Sequence, residues 1–129
     1  MTGFLAFLAC WGALAARRTA REDIEGTPPP PRTTRNSIAL SALRNGVRAF
    51  VGSSGVNYSP TVRPFNYFAR PLHDAFWRAV LAGASPAKAL LEAKHAYVAG
   101  MPHIGRRGTL EEAIEFKTLR QYSCLGLGW

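Results

Sequence analysis

The chain has 129 residues, 47% of them hydrophobic, and 16 lysines and arginines against 8 acidic residues give a formal net charge of +8. This length fits one domain, and the composition is typical of a globular core and not of a disordered chain. The basic residues are spread along the sequence without a recognisable nucleic-acid-binding module, so we expect a basic surface and no specific nucleic-acid partner. Two cysteines are too few for a disulfide scaffold.

The first predicted element is a strand over the apolar residues 3–9, which leads into Cys10 and a turn. The whole apolar stretch, 3–16, is shorter than the ~20 residues that cross a bilayer as a helix, so we predict no membrane span. The alternative is a signal-peptide core with a cleavage site at Ala13-Leu14-Ala15, although no basic residue precedes it. We prefer the buried strand.

Residues 17–35 are predicted to form a proline-rich loop, because the four consecutive prolines Pro28–Pro31 exclude a helix. A mostly buried helix over 36–45 follows, with Asn36 or Ser37 as its cap and Gly46 as its stop. Its apolar positions are Ile38, Leu40, Ala42 and Leu43. The next strand covers 47–52. A strand, a loop, a helix and a second strand in this order predict a parallel crossover unit.

Two further helices are predicted after an irregular, aromatic-rich segment, 55–70. The first begins at Pro71 and ends at Gly83, and its apolar residues recur at the spacing of a core-facing stripe. That stripe consists of Leu72, Ala75, Phe76, Ala79 and Val80. The second is capped by Ser85 and ends at Gly100. Its inward-facing residues are expected to be Leu90, Leu91, Tyr97 and Val98.

A capping box of Thr109 and Glu112 begins the last predicted helix. The residues expected to pack along it are Ala113, Phe116 and Leu119. Residues 122–129 predict a final short strand or an extended tail. Together these elements predict an α/β fold with a partial parallel sheet and flanking helices, in a single domain over 1–129.

The candidate for chemistry is Cys10, because the carboxyl end of a parallel strand is where open α/β sheets bind ligands. A reactive cysteine needs a base or a positive environment, and without one Cys10 is a buried structural thiol. His73 and His95 are expected on helix surfaces, whereas His103 lies in a loop. Cys124 is expected to pack in the core or at an edge of the fold. No cluster has metal-ligand spacing, so neither metal nor cofactor is predicted.

The segment Ala9-Cys10-Trp11-Gly12-Ala13 resembles the end of the nucleophile strand in gingipain-type cysteine peptidases, within the caspase-like group. Residues 37–55 resemble the helix and strand that follow it in that family, and residues 72–97 resemble the paired helices after that strand. The resemblance covers most of the chain except the proline-rich loop. It implies a caspase-like fold and a cysteine-type endopeptidase that acts on a peptide or protein substrate.

Under this resemblance Cys10 is the catalytic nucleophile. The implied substrate cleft is lined by Gly52, Ser53, Ser54, Gly55, Asn57 and Tyr58. The histidine of the family lies on an earlier strand, and no histidine of this chain stands in the matching place. The chain therefore corresponds to the C-terminal part of a catalytic domain and is expected to be inactive alone. The implied partner is an upstream half-domain or a second chain that completes the sheet.

Two rival interpretations remain open from the sequence. A degenerate caspase-like domain could serve as a non-catalytic interaction module, because an open sheet edge is a template for a partner strand. A small secreted or membrane-tethered basic protein is the other, and in that case the residues before Arg17 are a targeting segment.

Overall fold

The computed structural model describes residues 3–7, 12–15, 31–57, 68–101 and 108–126. In this part of the chain lie three strands and four helices, so the fold is mixed α/β as expected. In chain order these are β1 Phe4–Phe7, α1 Ile38–Arg44, β2 Ala49–Ser53, α2 Arg70–Leu81, α3 Pro86–Ala99, α4 Leu110–Gln121 and β3 Tyr122–Gly126.

The three strands form one sheet in the order β1-β2-β3, with β2 in the centre. β1 pairs with β2 in parallel, from Phe4 opposite Ala49 to Phe7 opposite Gly52. α1 lies between these two strands in the sequence, so they form the crossover that the strand–helix–strand order predicts. The carboxyl ends of β1 and β2 therefore lie at the same edge of the sheet.

The third strand departs from the predicted parallel sheet, because β3 runs antiparallel to β2 with Tyr122 opposite Ser53. The predicted parallel arrangement is therefore confirmed for β1 and β2 but not for β3. The cause lies in α4, whose last residue, Gln121, directly precedes the strand. The Gln121 carbonyl oxygen accepts hydrogen bonds from the Ser54 N–H at 2.8 Å and the Ser54 hydroxyl at 3.0 Å. The chain thus enters β3 at the carboxyl end of β2 and must run back along it.

Helices cover both faces of the sheet, because neighbouring residues of β2 point to opposite sides. Val51 and Tyr122 belong to the larger core cluster, which α2 and α3 complete. Phe50 faces the other way and packs with Ala39 of α1 and with Ala13. β2 is buried along its whole length between these two layers.

The predicted stripe of α2 is confirmed, since Leu72, Phe76 and Ala79 are buried and the other two members pack against the same cluster. The predicted faces of α1 and α3 are partly wrong. Ile38 of α1 is exposed, and so are Leu91 and Val98 of α3. The buried stripe of α3 includes Leu90 and Tyr97, as predicted, and faces away from Leu91 and Val98. It consists of Pro86, Ala89, Leu90, Ala93 and Tyr97.

The predicted packing face of α4 is also partly wrong. Its buried residues are the polar Glu115, Thr118 and Gln121, whereas Phe116 is exposed. The reason is that α4 packs on α3 through polar contacts, and Thr118 is hydrogen-bonded to the Tyr97 side chain. Leu119 is partly buried and packs against the larger core cluster, as expected.

Candidate functional site at the carboxyl end of the central strand

The predicted nucleophile, Cys10, lies outside the described residues, but residues on both sides of it in sequence are placed. Phe7, three residues before it, ends β1 opposite Gly52 of β2. Ala13, three residues after it, donates its N–H to the Ser53 carbonyl oxygen at 2.8 Å. Both flanking residues therefore lie at the carboxyl end of β2, which is the edge where parallel strands present ligand sites.

The turn that follows β2 contains most of the residues predicted for the substrate cleft. Gly52, Ser53 and Gly55 are buried, and Ser54 is half-buried. The Ser53 hydroxyl donates to the Gly55 carbonyl oxygen at 2.9 Å and accepts from the Gly55 N–H at 3.2 Å. Ser54 is bonded to Gln121, so the turn is anchored to the junction of α4 and β3. Tyr58 lies outside the described residues, and the role of this turn as a cleft wall stays a prediction.

Next to this turn lies a polar cluster, in which the half-buried Asn57 meets three buried side chains, those of His73, Gln121 and Tyr122. The Tyr122 hydroxyl lies 2.9 Å from Asn57 Oδ1 and 2.6 Å from His73 Nε2. Gln121 Nε2 also donates to Asn57 Oδ1. An amide oxygen can only accept, so Tyr122 donates its one proton to Asn57 and accepts the Nε2 proton of His73. The cluster therefore fixes the tautomer of His73.

His73 is only 4% exposed, which corrects the expectation that it lies on the helix surface. Its ring meets the Tyr122 ring edge to face, with centroids 5.0 Å apart. Burial lowers the pKa of His73 from 6.5 to about 4, with Asp74 acting in the opposite direction, so the imidazole is neutral near pH 7. A signal was present in the sequence, because His73, Phe76 and Val80 have the i, i+3, i+7 spacing of one helix face.

The other candidate residues do not belong to this cluster. His95 is exposed on α3, as expected, and His103 lies outside the described residues. Cys124 is half-buried on β3 opposite Val51 and packs against the larger core cluster. Burial raises the pKa of the Cys124 thiol, which favours the protonated form. Cys124 therefore behaves as a core residue.

The described residues offer a neutral imidazole, a phenol and two amides at the carboxyl end of β2. These groups can bind and orient a neutral polar group, but they supply no strong nucleophile of their own. The same residues contain no group of three or more His, Cys, Asp or Glu side chains able to hold a metal ion. No helix among them combines the length and the hydropathy that a membrane crossing requires.

Comparison of the chain with models of known protein families, with curated proteins and with solved structures found no match. Function is therefore inferred from the sequence and from the geometry at the carboxyl end of β2.

Proposed function

We propose that this chain is part of a caspase-like cysteine endopeptidase, in which Cys10 is the nucleophile. The observation that carries the proposal is the parallel pairing of β1 with β2, together with the bond from Ala13 to Ser53. These contacts bring Phe7 and Ala13, each three residues from Cys10, to the carboxyl end of β2. A nucleophile at that edge has access to a substrate that lies across the strand ends.

In the proposed reaction the Cys10 thiolate attacks the carbonyl carbon of the scissile peptide bond. The C–N bond then breaks, the leaving amine takes up a proton, and water hydrolyses the resulting acyl-enzyme. A histidine must accept the thiol proton and return it to the amine. His73 does not suit this role, because its ring is buried and its Nε2 is bonded to Tyr122.

The proposed base lies on a strand next to β1. β1 is an edge strand of the sheet in the described part of the chain, so a further strand can pair with its other side. That strand belongs to an upstream half-domain or to a second chain. The 129 residues alone are accordingly expected to hydrolyse peptides very slowly or not at all.

The test uses the native protein, tagged at its carboxyl end and purified from its source cells, with intact mass and peptide mapping to identify every chain present. Peptide hydrolysis is measured with a mixed fluorogenic library. We expect activity in the wild type and in Cys124→Ser, and a loss on the order of a thousandfold or more in Cys10→Ser. Cys124→Ser is the matched control, because it removes the other thiol from the core.

Three results contradict parts of this proposal. Native protein without any peptidase activity, or full activity in Cys10→Ser, excludes Cys10 as a nucleophile. Hydrolysis by the purified 129-residue chain that disappears in Cys10→Ser contradicts a different part, namely the need for a histidine from elsewhere.

A second candidate function is a non-catalytic interaction module whose β1 edge accepts a partner strand. The edge position of β1 favours it equally. The variant Cys10→Ser distinguishes the two functions. Partner binding stays intact in both cases. Only in the peptidase does the substitution also abolish the activity of the complex.

A further inference from the structure

We propose that Tyr122 is a positioning residue of this peptidase. Its hydroxyl, oriented by His73, holds Asn57 and thereby the turn after β2 in the geometry that a peptide substrate meets. The inference rests on the proposed function and adds to it a residue that does not itself touch the substrate.

The directions of the hydrogen bonds are the first supporting observation. Tyr122 donates to Asn57 Oδ1 at 2.9 Å, and that oxygen accepts a second bond from Gln121 Nε2. Two donors on one oxygen define the plane of the Asn57 amide. His73 fixes the orientation of the Tyr122 hydroxyl group, because its Nε2–H is donated to the Tyr122 oxygen at 2.6 Å.

The second supporting observation is that rigid elements hold the cluster. Tyr122 is the first residue of β3, is 1% exposed, and pairs with Ser53 at the end of β2. His73 lies in the first turns of α2, the helix that packs most extensively on α3. Side chains on strands and helices locate a site more accurately than side chains on loops.

The third observation is an unpaired acceptor beside the same turn. Gln121 Oε1 is buried without a hydrogen-bond partner. The residue as a whole is only 6% exposed. A Cβ at Gly55 would lie 3.1 Å from this oxygen, so the amide packs closely over the turn. Burying an unsatisfied acceptor lowers stability, and an apolar side chain would pack there without that cost. The arrangement thus favours a defined turn over maximum stability.

The expected effect follows from what the turn contacts. A wall that meets the substrate away from the scissile bond stabilises the ground state and the transition state alike, so its loss raises KM and leaves kcat unchanged. Tyr122→Phe removes only the hydroxyl and keeps the ring in the core. We expect KM to rise about tenfold, the effect of one orienting hydrogen bond, and kcat to stay within about twofold.

The matched control is Tyr97→Phe, which removes a hydroxyl from an equally buried tyrosine. Tyr97 is 5% exposed and is bonded to Thr118 of α4 instead of the turn. Both variants are measured in the native protein with one fluorogenic peptide, alongside their melting temperatures. His73→Phe is the second test variant in case Tyr122→Phe does not fold, and it is expected to raise KM in the same way.

A rise in KM in Tyr122→Phe that is absent from Tyr97→Phe at similar melting temperature supports the inference. An unchanged KM in Tyr122→Phe, or in His73→Phe if Tyr122→Phe does not fold, overturns the inference. The proposed function then still stands. An inactive wild-type protein is a different result, because it overturns the proposed function and this inference together.

Discussion

The buried imidazole of His73 makes the stability of the protein depend on pH in a defined window. The pKa of His73 is about 4 in the folded state against 6.5 for an unperturbed histidine, and burial is the main cause. Above about pH 6.5 neither state binds the proton, so this group leaves stability independent of pH. As the pH falls from 6.5 towards 4, only the unfolded state becomes protonated, and the free energy of unfolding decreases.

The size of this loss follows from the difference between the pKa of the folded and the unfolded state. A tenfold difference in proton affinity corresponds to about 1.4 kcal/mol, so the protein loses about 3 kcal/mol through His73 over the whole window. A typical domain has about 5–15 kcal/mol of stability, so the loss is a large part of it. Below about pH 4 both states are protonated and this contribution stops changing.

The measurement is urea unfolding of the 129-residue chain, followed by tryptophan fluorescence at about pH 7.5 and about pH 4.5. His73→Gln removes the titrating group, and the exposed His95 provides the control variant His95→Gln. The wild type and His95→Gln should lose between about 2 and 3 kcal/mol more than His73→Gln between these two conditions. Carboxylates titrate in all three proteins and cancel in the comparison.

One result refutes the reasoning behind this prediction. If His73→Gln loses as much stability at acid pH as the wild type, then the imidazole takes up its proton equally in both states. In that case the ring is not held neutral in the folded core, although its Nε2–H can still donate to Tyr122.

Two further predictions concern the scaffold around the site, both measured by urea unfolding. Gly126→Ala should lower the free energy of unfolding by at least about 2 kcal/mol. The φ of Gly126 is 90°, and an added Cβ would collide with the Arg48 carbonyl oxygen. The control Gly83→Ala should cost only about 1 kcal/mol, since φ is 91° there but nothing lies within 4 Å; equal costs would contradict the predicted clash. Ser37→Ala should cost about 2 kcal/mol, because the hydroxyl caps α1 and also donates to the buried Leu14 carbonyl at 2.9 Å. A cost near zero would show that neither bond contributes.

Local signals in the sequence predict the helices and their starts. Ser37, Ser85 and Thr109 each accept a backbone N–H as a helix cap, as their position before an apolar segment indicates. The stripe of α2 is likewise predicted correctly, because a regular apolar spacing reports directly on one buried face. The parallel pairing of β1 with β2 follows from the strand–helix–strand order.

The errors arise where a distant element decides the outcome. The direction of β3 depends on where α4 ends, and the bonds between Ser54 and Gln121 that set this position join residues far apart in the chain. On the buried face of α4, Thr118 is hydrogen-bonded to Tyr97 of α3, and no periodicity within α4 reveals this partner. Residue type alone assigns His73 to the surface, although its helical position is buried.

The candidate site is therefore predictable only in outline. The strand order and the family resemblance indicate the carboxyl end of β2 and the turn from Gly52 to Asn57. They do not indicate the polar cluster around Tyr122, because it unites side chains from β3, α2 and the segment after β2. Such a cluster becomes visible only once the three segments are placed together.

The central position of β2 also has a consequence for the order of folding. α2 and α3 are joined by a short turn at Ala82–Ser85 and make the most extensive contact in the described chain, so this helix pair can form early from local contacts. The sheet cannot form from local contacts, because its strands are far apart in the sequence. The proline-rich segment separates β2 from β1, and three helices separate β2 from β3. Loop closure of that length is slow. The cluster of Asn57, His73 and Tyr122 therefore forms late in folding, when β3 reaches the sheet.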